Sequence, residues 1–169
     1  MEDLKIYIYP EPVLRKKSKP VKKFTTQVRE LLDKMLELMY ESKGVGLAAP
    51  QVGEDLCLIV VDAGNGPLKL CNPVILKRQG ATFMEEGCLS LPEIIINLRR
   101  AKKIRVSAIN EEGKDIVFDA EDVLARVIQH EIDHLDGRLL IDYLPWHKRW
   151  LAKRKLKRVT RNQSTETRV

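Results

Sequence analysis

From Thr25 to Ser42 the apolar residues fall at Val28, Leu31, Leu32, Met35, Leu36 and Met39. Recurrence at three- and four-residue steps predicts an amphipathic helix whose stripe packs into a core. Gly44 and Gly46 break it. Ahead of the helix, Leu4 to Tyr9 alternates and predicts a strand, ended by Pro10 and Pro12. Further strands are expected near Leu56 to Asp62 and Lys69 to Leu76, with Gly64-Asn65-Gly66-Pro67 as the turn between them. Arg99 to Ile109 and Lys114 to Phe118 predict a hairpin across Asn110-Glu111-Glu112-Gly113. A second helix runs from about Glu121 to Leu135, with acids in its first turn and Gly137 as its stop. Leu139 to Leu144 reads as a short extended stretch, Trp146 to Arg161 as a basic helix, and Asn162 to Val169 as a polar, frayed tail. No internal repeat is visible. Strands come mostly in succession, which favours an α+β fold with antiparallel sheet over a doubly wound one.

Length and charge narrow the picture. A chain of 169 residues, 44% hydrophobic and 32% charged, is one globular domain. No apolar run approaches a membrane span, so no membrane partner is expected. The start, Met1-Glu2-Asp3-Leu4, has neither signal-peptide nor transit character, and a cytoplasmic location is expected. Three cysteines without paired spacing argue against a disulfide framework. Residues 146–169 carry nine Lys and Arg against one acid, a charge of +8, which leaves −2 for the rest of a chain whose net charge is +6. A helix so basic either binds a polyanion such as RNA or presents a solvated face.

The densest chemistry is His130-Glu131-Ile132-Asp133-His134, an H-E-x-x-H pattern. On a helix the two His lie on one face and can share a metal, while Glu131 can reach a water there without ligating. Only three His exist in the chain, and two stand at ligand spacing. A catalytic centre of this kind usually takes a third protein ligand. The longer H-E-x-x-H-x-x-G-x-x-H pattern is met as far as Gly137 and fails at Leu140. Glu166 lies in the polar tail, and Asp136, Asp142 and His147 are weak candidates. Upstream, Cys57 sits in the apolar run Leu56 to Val61 and reads as core, and Cys71 precedes Asn72-Pro73 at a strand end. Cys88, in Glu85-Glu86-Gly87-Cys88-Leu89-Ser90, has polar flanks and a glycine beside it, and is the preferred third ligand.

Three segments together carry a resemblance: Gly44-Val45-Gly46-Leu47-Ala48-Ala49-Pro50-Gln51, Glu86-Gly87-Cys88-Leu89-Ser90 and Gln129-His130-Glu131-Ile132-Asp133-His134. They resemble the three motifs of the peptide deformylase family, in its order and at its usual separations, and the similarity extends to about Pro145. The resemblance implies sheets packed around a central helix that carries H-E-x-x-H, with a C-terminal helix of the bacterial type. Residues 1–145 would be the catalytic body, and 146–169 a basic helix and tail of the same domain. It implies removal of the formyl group from the formyl-methionine of new polypeptides. Cys88, His130 and His134 would hold one divalent metal, ferrous iron in the cell, with zinc, nickel or cobalt as substitutes. Glu131 would serve as general base and then acid, and the Gln51 amide and Leu89 N–H would stabilise the oxyanion. Val45, Gly46, Met84, Glu86, Val123 and Val127 would form the methionine pocket. The nascent formyl-Met chain is the implied substrate, and the ribosome a partner through the basic helix; no DNA partner is implied. One departure stands out: many members carry Arg where this chain has Ile95.

Two other readings compete. A metallopeptidase shares H-E-x-x-H but needs a downstream ligand that this chain lacks. A metal-stabilised RNA-binding module would use the basic tail and leave Glu131 and Gln51 unexplained.

Overall fold

The computed structural model describes residues 4–166. Three α-helices, seven strands and three short 3-10 turns make up the described chain. Helix α1 is Thr26–Glu41, α2 is Asp122–Leu135 and α3 is Trp146–Glu166. The strands are β1 Gly46–Ala48, β2 Leu58–Val61, β3 Leu68–Gln79, β4 Thr82–Glu86, β5 Ile96–Arg100, β6 Lys103–Ile109 and β7 Asp115–Glu121. Five of them form an antiparallel sheet in the order β1-β2-β3-β6-β7, and β4 and β5 form a separate hairpin. This is the expected α+β class.

β2 explains how the sheet holds two helices. Its four residues are all fully buried, and successive side chains point to opposite faces. Ile59 and Val61 join Ala125, Val127 and Ile128 of α2 in one core. Leu58 and Val60 join Leu32, Met35 and Met39 of α1 in another. The apolar stripe of α1 therefore packs as its period requires, and Thr25 caps the helix by accepting a hydrogen bond from the Val28 N–H. A third core gathers Leu14, Leu91, Ile96, Leu98, Leu140 and Ile141 with Ala152 and Leu156 of α3.

α2 is the centre of the molecule and carries Arg126, Gln129, His130, Glu131 and His134 buried among its apolar residues. It stops at Gly137, whose φ is +71° and whose added Cβ would sit 2.5 Å from the Arg15 carbonyl oxygen. Both facts demand glycine there.

Several local expectations are corrected. Leu4 to Tyr9 is extended but forms no strand ladder. Its N–H groups go singly to two loops, Tyr7 to the Gln51 carbonyl at 2.7 Å and Tyr9 to the Ser90 carbonyl at 3.0 Å. Arg99 to Ile109 is not one strand. It breaks at Ala101, whose N–H and C=O both bond the Gln129 side chain instead of a neighbouring strand. Leu139 to Leu144 contains a 3-10 turn, Leu140–Tyr143, tied by Asp142 to the Leu139 N–H. Cys71 lies inside β3, before the irregularity at Asn72, and Cys57 lies just outside β2 and is only half-buried. α3 continues past Asn162 to Glu166, where a frayed tail is expected; residues 167–169 of that tail lie outside the described residues.

Candidate metal centre and active site

The ligand atoms of Cys88, His130 and His134 lie within 4.8 Å of one another, the only such group of three or more among the described residues. α2 supplies the two imidazoles one turn apart. Cys88 comes from the loop after β4. Cys88 Sγ and His134 Nε2 are 3.2 Å apart. Around a tetrahedral ion a thiolate sulfur and an imidazole nitrogen are separated by about 3.5 Å, so the set fits a metal of that kind. A thiolate with two imidazoles suits zinc and ferrous iron alike.

His130 is oriented from behind. Its Nδ1 lies 3.1 Å from Glu86 Oε2, which leaves Nε2 for the centre. Glu86 is itself clamped. Arg100 donates from Nε to Oε1 at 2.6 Å and from Nη2 to Oε2 at 2.9 Å, and Arg126 Nη1 reaches Oε1 at 2.6 Å. Arg100 goes on to Asp133 Oδ2 at 2.8 Å, which also accepts from the Tyr143 hydroxyl at 2.7 Å. Burial acts to raise the Glu86 pKa, but hydrogen bonds from His130 and Arg100 outweigh it and hold the carboxyl at about 2. Burial likewise opposes charge on His130, yet its bonds to Cys88 and Glu86 win and raise it. His134 is lowered, by burial first and then by the positive charge of His130 and Arg100.

Glu131 sits beside these groups without joining them. Its Oε2 is buried and has no hydrogen-bond partner. Burial is the largest influence on it and pushes the carboxyl up to about 7. The close approach of Gly46 makes room for it: a Cβ there would lie 2.3 Å from Glu131 Oε1.

Gln51 is buried, and the bonds it makes settle which way its amide faces. Oε1 accepts from the Ala48 N–H at 2.8 Å. Nε2 therefore faces Ser90 Oγ at 3.2 Å and Cys88 Sγ at 3.7 Å. Leu89 lines the same cavity, and its N–H makes no backbone hydrogen bond among the described residues.

The cavity itself measures about 500 Å³. Val45, Gly46, Met84, Val123 and Val127 line it together with Gln51, Cys88, Leu89, His130 and Glu131. His134 lies deeper. Glu86 also borders it, but its carboxylate is committed to His130, Arg100 and Arg126 rather than turned to a ligand. Ile95 is 68% exposed and is not among the lining residues. The structure brings Cys88, His130, His134, Glu131, Gln51 and the expected pocket residues together around one cavity. Sequence reasoning missed Arg100, Arg126, Asp133 and Tyr143. The signal for two of them was present: Arg126 and Asp133 stand four before and three after His130, the spacing that puts them on its side of α2.

Comparison with known proteins identifies relatives in sequence and fold. The family model described as polypeptide deformylase matches residues 3–150. A peptide deformylase of Thermotoga sp. (strain RQ2) is 45% identical over 158 residues, covering 93% of this chain and 96% of the relative. The crystal structure of a Legionella pneumophila peptide deformylase superposes with a TM-score of 0.90 at 40% identity, covering 96% of this chain and 98% of that one. An Ehrlichia chaffeensis peptide deformylase solved in complex with actinonin gives 0.90 at 34% identity, covering 94% and 98%. Fold, site and kinship converge, and the chain belongs to the peptide deformylase family, the metal-dependent hydrolases that remove the formyl group from the N-terminal formyl-methionine of newly made polypeptides.

Proposed function

We propose that Cys88, His130 and His134 hold the divalent ion of this enzyme and that Glu131 carries the proton. The observation behind this reading is the convergence of three donor atoms beside a buried carboxylate oxygen that has no other partner. A bound divalent ion supplies a Lewis acid and lowers the pKa of water to about 7. Glu131 accepts the proton of the attacking water, and the hydroxide oxygen adds to the formyl carbon. The Gln51 amide and the Leu89 N–H donate to the oxyanion that develops, where charge exists only in transit. The C–N bond then breaks, Glu131 returns its proton to the leaving amine, and formate and a free N-terminus result. Val45, Gly46, Met84, Val123 and Val127 receive the methionine side chain, with Glu86 contributing wall but no contact of its carboxylate. The test is formate release, under anaerobic conditions with ferrous iron supplied, from a formyl-Met peptide against acetylated and unblocked peptides. Hydrolysis of all three at similar rates would overturn the reading.

Ferrous iron is the proposed ion in the cell, with zinc, nickel or cobalt able to replace it; elemental analysis of anaerobically purified protein decides this. Actinonin, bound by the Ehrlichia relative, is proposed to occupy the same cavity here.

The basic helix α3 is proposed as part of one domain with residues 1–145 and as a docking element for the ribosome, in the cytoplasm. Ala152 and Leu156 anchor it in the third core. Lys148, Arg154 and Arg158 face out, together with Trp146 and Trp150. Among the described residues no helix is long and apolar enough to cross a membrane. Arg154, Arg158 and Trp150 stand away from the anchoring side of the helix, and Lys148 is exposed one turn before Ala152.

A further inference from the structure

The proposed mechanism does not use Arg126, yet this is one of the most heavily bonded side chains in the protein. It stands one turn before His130 on α2 and is 4% exposed. Its guanidinium makes three contacts with the β4–β5 hairpin: Glu86 Oε1 at 2.6 Å and the Leu98 carbonyl at 3.0 Å from Nη1, and the Thr82 carbonyl at 2.8 Å from Nη2. Thr82 and Glu86 are the two ends of β4, and Leu98 is the partner of Met84 across the hairpin. One planar group thus grips both strands around the residue that walls the cavity.

The hairpin makes few other strand contacts. It pairs with no strand of the main sheet. Yet β4 carries Met84, then Glu86, the acceptor for His130 Nδ1, and leads within two residues to Cys88. Charge is balanced across this unit, with the buried Arg100 and Arg126 against the buried Glu86 and the part-buried Asp133. Removal of one cation would leave an excess of buried negative charge and one fewer donor on Glu86.

We propose that Arg126 is a positioning residue that couples the methionine pocket to the metal centre. It locks the hairpin to the metal-bearing helix, so that the Met84 wall and the Glu86 carboxylate that orients His130 move as one body. The proposal rests on the site reading above, and it assigns two separable jobs to one side chain. Its positive charge completes the clamp on Glu86. Its planar fork, which reaches three acceptors at once, fixes the hairpin. Lysine can supply the charge but not the fork.

Arg126→Lys and Arg126→Met separate these jobs. Metal affinity is measured by chelator competition, and KM and kcat on formyl-Met and formyl-Ala peptides. Arg126→Met is expected to lose metal affinity by about 10-fold or more, the size typical of partners that orient a metal's ligands. Its KM for the formyl-Met peptide rises and its preference over formyl-Ala narrows. Arg126→Lys is expected to keep metal affinity within about 3-fold while its KM rises and its preference narrows as in the Met variant. A purely structural role would instead lower the Tm and degrade all parameters together in both variants. That pattern, or wild-type behaviour in both, overturns the proposal. If Arg126→Met does not fold, Arg126→Lys decides alone: retained metal with raised KM and narrowed preference supports the proposal, and any other combination overturns it. Failure of the site reading is distinct, since it would appear in the wild-type protein as absent metal or absent formate release.

Discussion

The space at Gly46 is the sharpest quantitative constraint on the proposed catalytic base. A Cβ added there lies 2.3 Å from Glu131 Oε1, 2.9 Å from Glu131 Cδ and 2.7 Å from Val127 Cγ1. Ordinary contact begins at 3.4 Å. In Gly46→Ala the carboxylate must therefore retreat by roughly 1 Å, a displacement that can cost about 10²-fold when it separates reacting groups. The new methyl also overpacks the junction of β1 and α2, at about 1–3 kcal/mol of stability. For a chain of this size each kcal/mol moves the Tm by about 2–4 °C. The three atoms nearest the new methyl belong to Glu131 and Val127 and none to a proposed ligand, so bound metal should remain.

The expected result is a folded, metal-loaded protein whose kcat falls about 10²-fold. Metal is read by elemental analysis, kcat by formate release, and folding by thermal unfolding. The separation of the two readouts is the point: activity lost with metal retained. A Gly46→Ala enzyme with kcat within about threefold of wild type would show that a 1 Å shift of Glu131 is harmless, and Glu131 would not be the proton carrier. Loss of metal in proportion to activity would also refute the reasoning, because the damage would then lie in the ligands.

Cys88→Ala should abolish bound metal, while Cys57→Ala and Cys71→Ala keep it; stoichiometric metal in the Cys88 variant would end the ligand assignment. Glu131→Gln keeps the shape and removes the base, so turnover should fall by about 10² or more with metal retained, whereas an active variant would contradict the mechanism. Gln51→Ala removes a proposed oxyanion donor and should slow kcat by about 10²-fold without loss of metal; an unchanged kcat would assign Gln51 to the loop alone. Truncation of α3 is a poor test of ribosome docking, because it would delete the fully buried Leu156. Reversal of the outward charges, with Lys148, Arg154 and Arg158 each changed to Glu, should weaken ribosome co-sedimentation and leave hydrolysis of a short formyl-Met peptide unchanged; salt-insensitive, unaltered co-sedimentation would make the helix purely structural.

What could be read in the sequence was whatever repeats with the period of its element or recurs as a motif. The stripe of α1, the His130–His134 spacing on α2 and the apolar run of β2 are of that kind, and each stands where expected. Three locally sensible expectations failed for one shared reason, that a backbone group found its partner outside any ladder. Ala101 bonds a glutamine side chain, Tyr7 and Tyr9 brace two loops, and the Leu139 N–H bonds Asp142. No hydrophobic pattern encodes such partners, because they are polar atoms, distant in the chain for Ala101, Tyr7 and Tyr9 and a side chain three residues on for Leu139.

The residues behind His130 escaped notice for a different reason. A charged side chain in a helix is ordinarily a solvated one, and Arg126 and Asp133 look ordinary on composition. Position corrects this. Both lie on the side of α2 that His130 occupies, where Arg126 is buried against Glu86 and the part-buried Asp133 meets Arg100. A buried cation is tolerable only where an anion meets it, so each of the four charges requires the others. That mutual requirement also gives the site its stiffness. Glu86 takes four donors, two of them from Arg100, one from Arg126 and one from His130, and none of the four can shift without leaving another buried charge short of a partner. The His130 imidazole, proposed to meet the metal, is thereby held by ion pairs whose other ends lie on β5 and α2, and its orientation follows from the fold of the whole hairpin rather than from the H-E-x-x-H pattern alone.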